Sequence, residues 1–130
     1  MNSDFGNNFQ FSPELDHKFL AELFDGDIIY AETVFGDFLS NISEYWIEVE
    51  QAWKARDTAL LKSSVHKCKT LFGYVGHTSI LASLTTFENK CATAGSATEL
   101  EAEYQQLNIE KDEALKKVQK EFERLQKANA

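Results

Sequence analysis

Helix breakers are scarce in this chain, with one proline and six glycines in 130 residues. Inside a helix those residues cost about 3 and about 1 kcal/mol respectively, so long stretches are free to coil and an all-α fold is expected. Cysteine is scarcer still: Cys68 and Cys91 stand alone. Both fall on apolar faces of expected helices, which favours two reduced, structural thiols over a disulfide and a cytoplasmic protein over a secreted one. No apolar run approaches the roughly 20 residues of a membrane span, and no basic stretch followed by an apolar one opens the chain. A soluble, unexported protein without membrane contact is therefore expected. Cations are outnumbered, 13 Lys and Arg against 21 Asp and Glu, for a formal charge of −8. Such a chain repels a phosphate backbone except at a local basic patch, which argues against nucleic acid as a partner.

Several chemistries lack their residues. There is no HxxxH pair and no Cys-x-x-Cys, so no metal site is expected. A Gly-x-Ser-x-Gly elbow is absent, as is a glycine-rich phosphate loop, so neither nucleophilic hydrolysis nor ATP binding is expected. The chain is thus read as no enzyme, without kinase activity of its own and without a bound cofactor.

What remains is core material. Hydrophobic residues make up 43% of the chain, with ten Phe, four Tyr and two Trp, enough for one packed domain. Residues 1–10, with three Asn and one Gly, carry no periodicity and read as a flexible lead-in to a domain over 11–130. The initial Met and loose start lean toward a free-standing protein.

Ser12 before Pro13 predicts a helix start, with a short helix to about Phe24 burying Leu15, Phe19, Leu20 and Leu23. Asp25-Gly26-Asp27 is turn chemistry, and Asp27 is placed to cap a long helix from Ile28 to about Lys54. There Ala31, Phe35, Phe38, Ile42, Tyr45 or Trp46, Val49 and Trp53 recur at threes and fours. Arg56-Asp57 marks a break before a helix from Thr58 to Val75, ended by Gly76. Thr78 or Ser79 then caps a helix carrying Ile80, Leu84, Phe87 and Cys91, and residues around Gly95 form a loop. Thr98 with Glu101 reads as a capping box opening a last helix, whose apolar row Lys111 interrupts with an expected kink or exposed turn near Asn108. The lysines of that helix alternate with acids and read as a solvated face. Four long amphipathic helices with short connections predict an antiparallel four-helix bundle with a short additional N-terminal helix as a lid.

The most informative stretch runs from Ser64 to Gly76. On a wheel of about 100° per residue, Leu61, Val65, Cys68, Phe72 and Val75 form an apolar stripe within roughly 40° of its centre. Lys62, His66, Lys69 and Gly73 lie roughly 80° to 140° away, on the flank leading to solvent. Side chains three and four apart on a helix are neighbours. Lys62 and Lys69 can therefore bracket the His66 ring and set two ammonium groups where an anion on that ring would sit. Gly73 weakens the helix, which calls for a compensating reason: a flat spot where another surface approaches.

His66, Lys69 three residues on and Gly76 ten residues on, with apolar Cys68 and Val75 between, resemble the pattern of histidine-containing phosphotransfer (HPt) domains. Helix lengths and order from about Leu15 to Leu125 suit the same family. Thr70 stands where that family usually has glycine, and Leu71 and Phe72 where it has small polar residues. The resemblance implies a phosphocarrier of a two-component phosphorelay. His66 would attack the aspartyl phosphate of a receiver domain through Nε2, forming a phosphohistidine that a second receiver accepts, and Lys69 would stabilise the phosphoryl oxygens. Lys62, Thr70 and Gly73 form the surrounding surface expected to meet the partner. Response-regulator receiver domains and a hybrid histidine kinase are the implied partners, the receiver brings the Mg²⁺, and the chain acts as a monomer. An ordinary imidazole, with a pKa of about 6.5, is largely neutral near pH 7 and offers a lone pair. The helix from Thr58 to Gly76 contains no acid, so a carboxylate orienting the other ring nitrogen has to come from another helix. The competing reading is a non-catalytic HPt-like adaptor that binds a receiver or another partner without carrying phosphate, and Thr70 with the bulky Leu71-Phe72 pair is what supports it.

Overall fold

In the computed structural model, residues 9–130 are described. They form α1 (His17–Phe24), α2 (Ile28–Lys54), α3 (Thr58–Tyr74), α4 (Thr78–Thr93), a 3₁₀ turn (Ala97–Leu100) and α5 (Glu101–Asn129). Among the described residues there is no strand, and no helix is long and apolar enough to cross a membrane. The fold is all-helical, with five helices packed on one another: α2 lies against α3 and α5, α4 against the same two, and α1 against α2.

Aspartate starts three of the helices. Asp16, Asp27 and Asp57 accept the backbone N–H of Phe19, Tyr30 and Leu60 at 3.2, 3.0 and 3.0 Å. Each satisfies one of the donors a helix N-terminus leaves free, a contribution of about 1 kcal/mol. Helix α1 thus begins at His17 and not at Pro13. Ser12 is not its cap, since its hydroxyl accepts from Glu14 N–H at 3.1 Å within a turn. The later start fixes the buried face as Leu20 and Phe24, with Leu15 just ahead of the helix, and leaves Phe19 and Leu23 on an exposed flank.

Helices α2 and α3 keep the expected spans, save that α3 stops at Tyr74. The cap of α4 is His77, whose side chain accepts from Ile80 N–H, in place of Thr78 or Ser79. Likewise Glu99, and not Glu101, forms the return contact before the last helix, accepting Ser96 N–H at 2.8 Å. Thr98 lies inside the 3₁₀ turn.

Two polar residues in the apolar row of α5 have partners that explain them. Lys111 makes no break: α5 is continuous, and the ammonium sits 5.1 Å from the centre of the Trp46 ring. One turn earlier, Asn108 accepts the Trp46 indole N–H at 3.1 Å. Tryptophan needs a polar partner for its N–H when buried, and α5 supplies it. Glu121, fully buried, accepts the Ser12 N–H at 2.7 Å and pairs with Arg124. Arg124 in turn reaches the Gln10 carbonyl at 2.9 Å and lies 4.8 Å from the centre of the Phe9 ring. The expected flexible lead-in thus falls partly on residues 1–8, outside the described residues, while Phe9 and Gln10 are held against α5.

The core is aromatic where α2 meets its neighbours. Phe38 meets Phe72 of α3 edge-on at 4.9 Å, and Trp53 stacks on Tyr104 of α5 at 4.2 Å. Each buried aromatic of this kind contributes about 1.5–3 kcal/mol through burial. Cys68 and Cys91 are free and buried, and burial pushes their thiols up to about 12 and about 11, which leaves them unreactive.

The turn between α3 and α4 seats three elements. Gly76 has φ of 66°, and a β-carbon there would stand 3.0 Å from the Leu20 side chain of α1. Its carbonyl accepts Asp16 N–H at 2.7 Å, so the start of α1 is bonded to this turn. Gly76→Ala combines left-handed strain with a clash, and urea denaturation should show a loss of about 2–3 kcal/mol. A loss below about 0.5 kcal/mol would mean the turn relaxes freely.

Candidate functional site

Packing of Leu61, Val65, Cys68 and Phe72 into the core fixes the roll of α3. That roll turns His66 outward, with 59% of its side chain exposed. On α4, Ile80, Leu84, Phe87 and Cys91 face the core. Glu88 follows Phe87, at the edge of that stripe, and its side chain is only 13% exposed because it leans toward α3.

There it meets both expected residues at once. His66 Nδ1 lies 2.8 Å from Glu88 Oε2, and Lys69 Nζ donates to Glu88 Oε1 at 2.9 Å. Burial would raise the Glu88 pKa, but the hydrogen bonds from Lys69 and then His66, with their charges, outweigh it and hold the carboxyl below its ordinary 4.5. Glu88 is therefore an anion at neutral pH and can only accept. The proton in its bond with His66 belongs to Nδ1, and in the neutral ring Nε2 keeps its lone pair.

The other expected residues sit around this fork. Thr70 is exposed one turn further along, its hydroxyl donating to the His66 carbonyl at 3.4 Å. Gly73 has nothing within 4 Å of where a β-carbon would be, so there is open space at that position. Lys62 is exposed and close enough to Cys91 for its charge to act on that thiol. Of the two lysines expected to bracket the imidazole, Lys69 alone is joined to the carboxylate that holds it. Lys67 instead pairs with Glu48 at 3.2 Å on the exposed side of α3, a contact of little energetic weight.

Glu88 is the functional candidate that sequence reasoning missed. The signal was present in the hairpin of α3 and α4. His66 lies ten residues before Gly76 and Glu88 eleven after His77, so both sit at comparable heights, roughly 15 Å or more from the turn.

The site is open surface. A groove of about 450 Å³ between α4 and α5 is lined by Phe87, Lys90, Gln106 and Leu107 and includes none of the three site residues. No group of three His, Cys, Asp or Glu suited to a metal occurs among the described residues. His66 and Glu88 offer two donors, and Lys69 shares the carboxylate. Comparison with protein-family models, curated proteins and solved structures gives no significant match for this chain.

Two measurements check the fork. Where the His66 ring is neutral, nitrogen NMR of the wild type should place its proton on Nδ1, and Glu88→Ala should erase that preference. Because the Glu88 pKa is lowered on folding, its stabilisation is full above about 4.5 and is lost as pH falls through the folded value. Glu88→Gln should flatten that acid limb in urea titrations; an unchanged limb would place the pH dependence in other carboxylates.

Proposed function

We propose that this chain is a phosphocarrier of a two-component phosphorelay, an antiparallel four-helix bundle of α2 to α5 with α1 as a short additional N-terminal helix. The observation that carries this reading is the Glu88 fork: one carboxylate orients the ring of an exposed histidine and holds a lysine beside it. An imidazole with Nδ1 protonated and Nε2 bare facing solvent is a nucleophile ready for a large, charged electrophile. Its bare surroundings suit a visiting protein surface better than a small molecule in a pocket.

In the proposed reaction the Nε2 lone pair forms an N–P bond to the phosphorus of a receiver's aspartyl phosphate. The P–O bond to that aspartate breaks, and its oxygen leaves as carboxylate. In the onward step the aspartate of a second receiver forms a new P–O bond, and the N–P electron pair returns to Nε2. The Nδ1 proton stays on the ring and faces Glu88 in both directions. Phosphoryl transfer of this kind depends on alignment and on charge near the phosphoryl oxygens. Glu88 supplies the first and Lys69 the second, while Mg²⁺ comes with the receiver.

Lys62, Thr70 and Gly73 form the rim that a receiver would cover. Response-regulator receivers and a hybrid histidine kinase are the partners this reading requires, with the chain acting as a monomer in the cytoplasm. The adaptor alternative keeps the same docking face and drops the transfer.

Incubation with a phosphorylated receiver should place acid-labile, alkali-stable label on the wild type and none on His66→Gln. Label that persists in that variant moves the site elsewhere, and no label from any receiver favours the adaptor. Lys69→Ala should slow transfer by roughly tenfold with unchanged circular dichroism. That is less than the 10²–10³ typical of a donor in a water-excluded site, because this one is open. Loss of helicity would make Lys69 structural.

A further inference from the structure

His77 is 4% exposed, and its two ring nitrogens have unlike surroundings. Nδ1 accepts the Ile80 N–H at 3.2 Å and so caps α4. Nε2, which must then carry the proton, has no hydrogen-bond partner among the described residues. The cap works only while the ring is neutral. A proton on Nδ1 would set donor against donor and place a charge in the core.

We propose that His77 is a pH-sensitive fastener of the α3–α4 turn: protonating its ring uncaps α4 and loosens the turn on which α1 is seated. The neighbours favour the neutral form. Phe72 of α3 presents an uncharged ring 6.4 Å away, and Gly76 beside it is bonded to Asp16 and packed by Leu20. Burial is the main influence lowering the His77 pKa, and the charge of Lys117 on α5 adds to it. Its own backbone and the charge of Glu14, in the turn before α1, work the other way but do not prevail.

The sign follows from that direction. The unfolded ring titrates near 6.5 and the folded ring below it, so between the two values the unfolded chain binds more protons. The stabilisation is complete above about pH 6.5 and is lost as pH falls from there toward the folded value. Below the folded value the ring charges in place and the turn opens. This inference stands apart from the phosphocarrier reading, since it concerns a different histidine and needs no partner.

The test is urea unfolding of the full chain from pH 8 to pH 5, comparing wild type with His77→Asn. An asparagine oxygen can accept the same N–H but does not titrate in that range. The wild-type unfolding constant should rise by up to about tenfold per pH unit below about 6.5, while the variant should match it at pH 8 and change less below. His17 and His66 are present in both proteins, so the difference isolates His77. Equal slopes would overturn the proposal. Direct NMR titration of His77 in the wild type gives an independent check: a midpoint below 6.5, with Ile80 and Asp16 amides exchanging faster as the ring charges, is expected. A midpoint at or above 6.5, or amide protection that does not change, would also overturn it.

Discussion

One carboxylate governs the candidate site. Glu88 accepts from an imidazole with one oxygen and from an ammonium with the other, and without it the two side chains would be unconnected groups on the flank of a helix. Its own position depends on how α3 and α4 lie side by side. The connection between them is three residues long, from Val75 to His77, too short to permit sliding. Gly76 turns the chain with positive φ, and His77 starts the next helix. The register of the hairpin, and with it the height of Glu88 opposite His66, is set at a turn roughly 15 Å or more away. The fold therefore matters to the chemistry chiefly through that turn.

Partial burial makes the fork useful. A fully exposed ion pair is worth little in water, and a sealed carboxylate would lose the ring to the interior. Glu88 lies between these limits: its side chain is mostly covered while His66 remains mostly exposed. The low exposure of the acceptor strengthens both hydrogen bonds, and the high exposure of the donor ring leaves its far nitrogen free. Gly73 adds open space two turns further along α3, where a β-carbon would meet nothing within 4 Å.

Much of this was legible in the sequence, and the misses share a cause. The spans of α2 and α3 follow from apolar spacing, and the same spacing turned His66 and Lys69 outward. Glu88 was missed because local pattern places a residue on a face but does not say which neighbour that face meets. The cap of α4 was misplaced because histidine is a less usual capping side chain than serine or threonine, although its unprotonated Nδ1 accepts in the same way. Lys111 looked like a fault in an apolar row, and Glu121 drew no notice there. Their partners, the Trp46 ring and the Ser12 N–H, come from segments 65 and 109 residues distant, and no window along the chain could join them.

The lysine has the most to change if the phosphocarrier reading holds. In the resting site its ammonium is already bound to Glu88, so it is placed before any phosphate arrives and loses little conformational freedom when one does. A phosphoryl group on Nε2 would be a second anion competing for the same ammonium, and the pair with Glu88 would weaken if the new one formed. The carboxylate would then hold the Nδ1 proton more strongly, because the lysine no longer drew on its charge. Capture of phosphate by Lys69 and retention of the ring proton by Glu88 would reinforce one another, so the phosphorylated ring would stay aligned and ready to leave as a neutral imidazole.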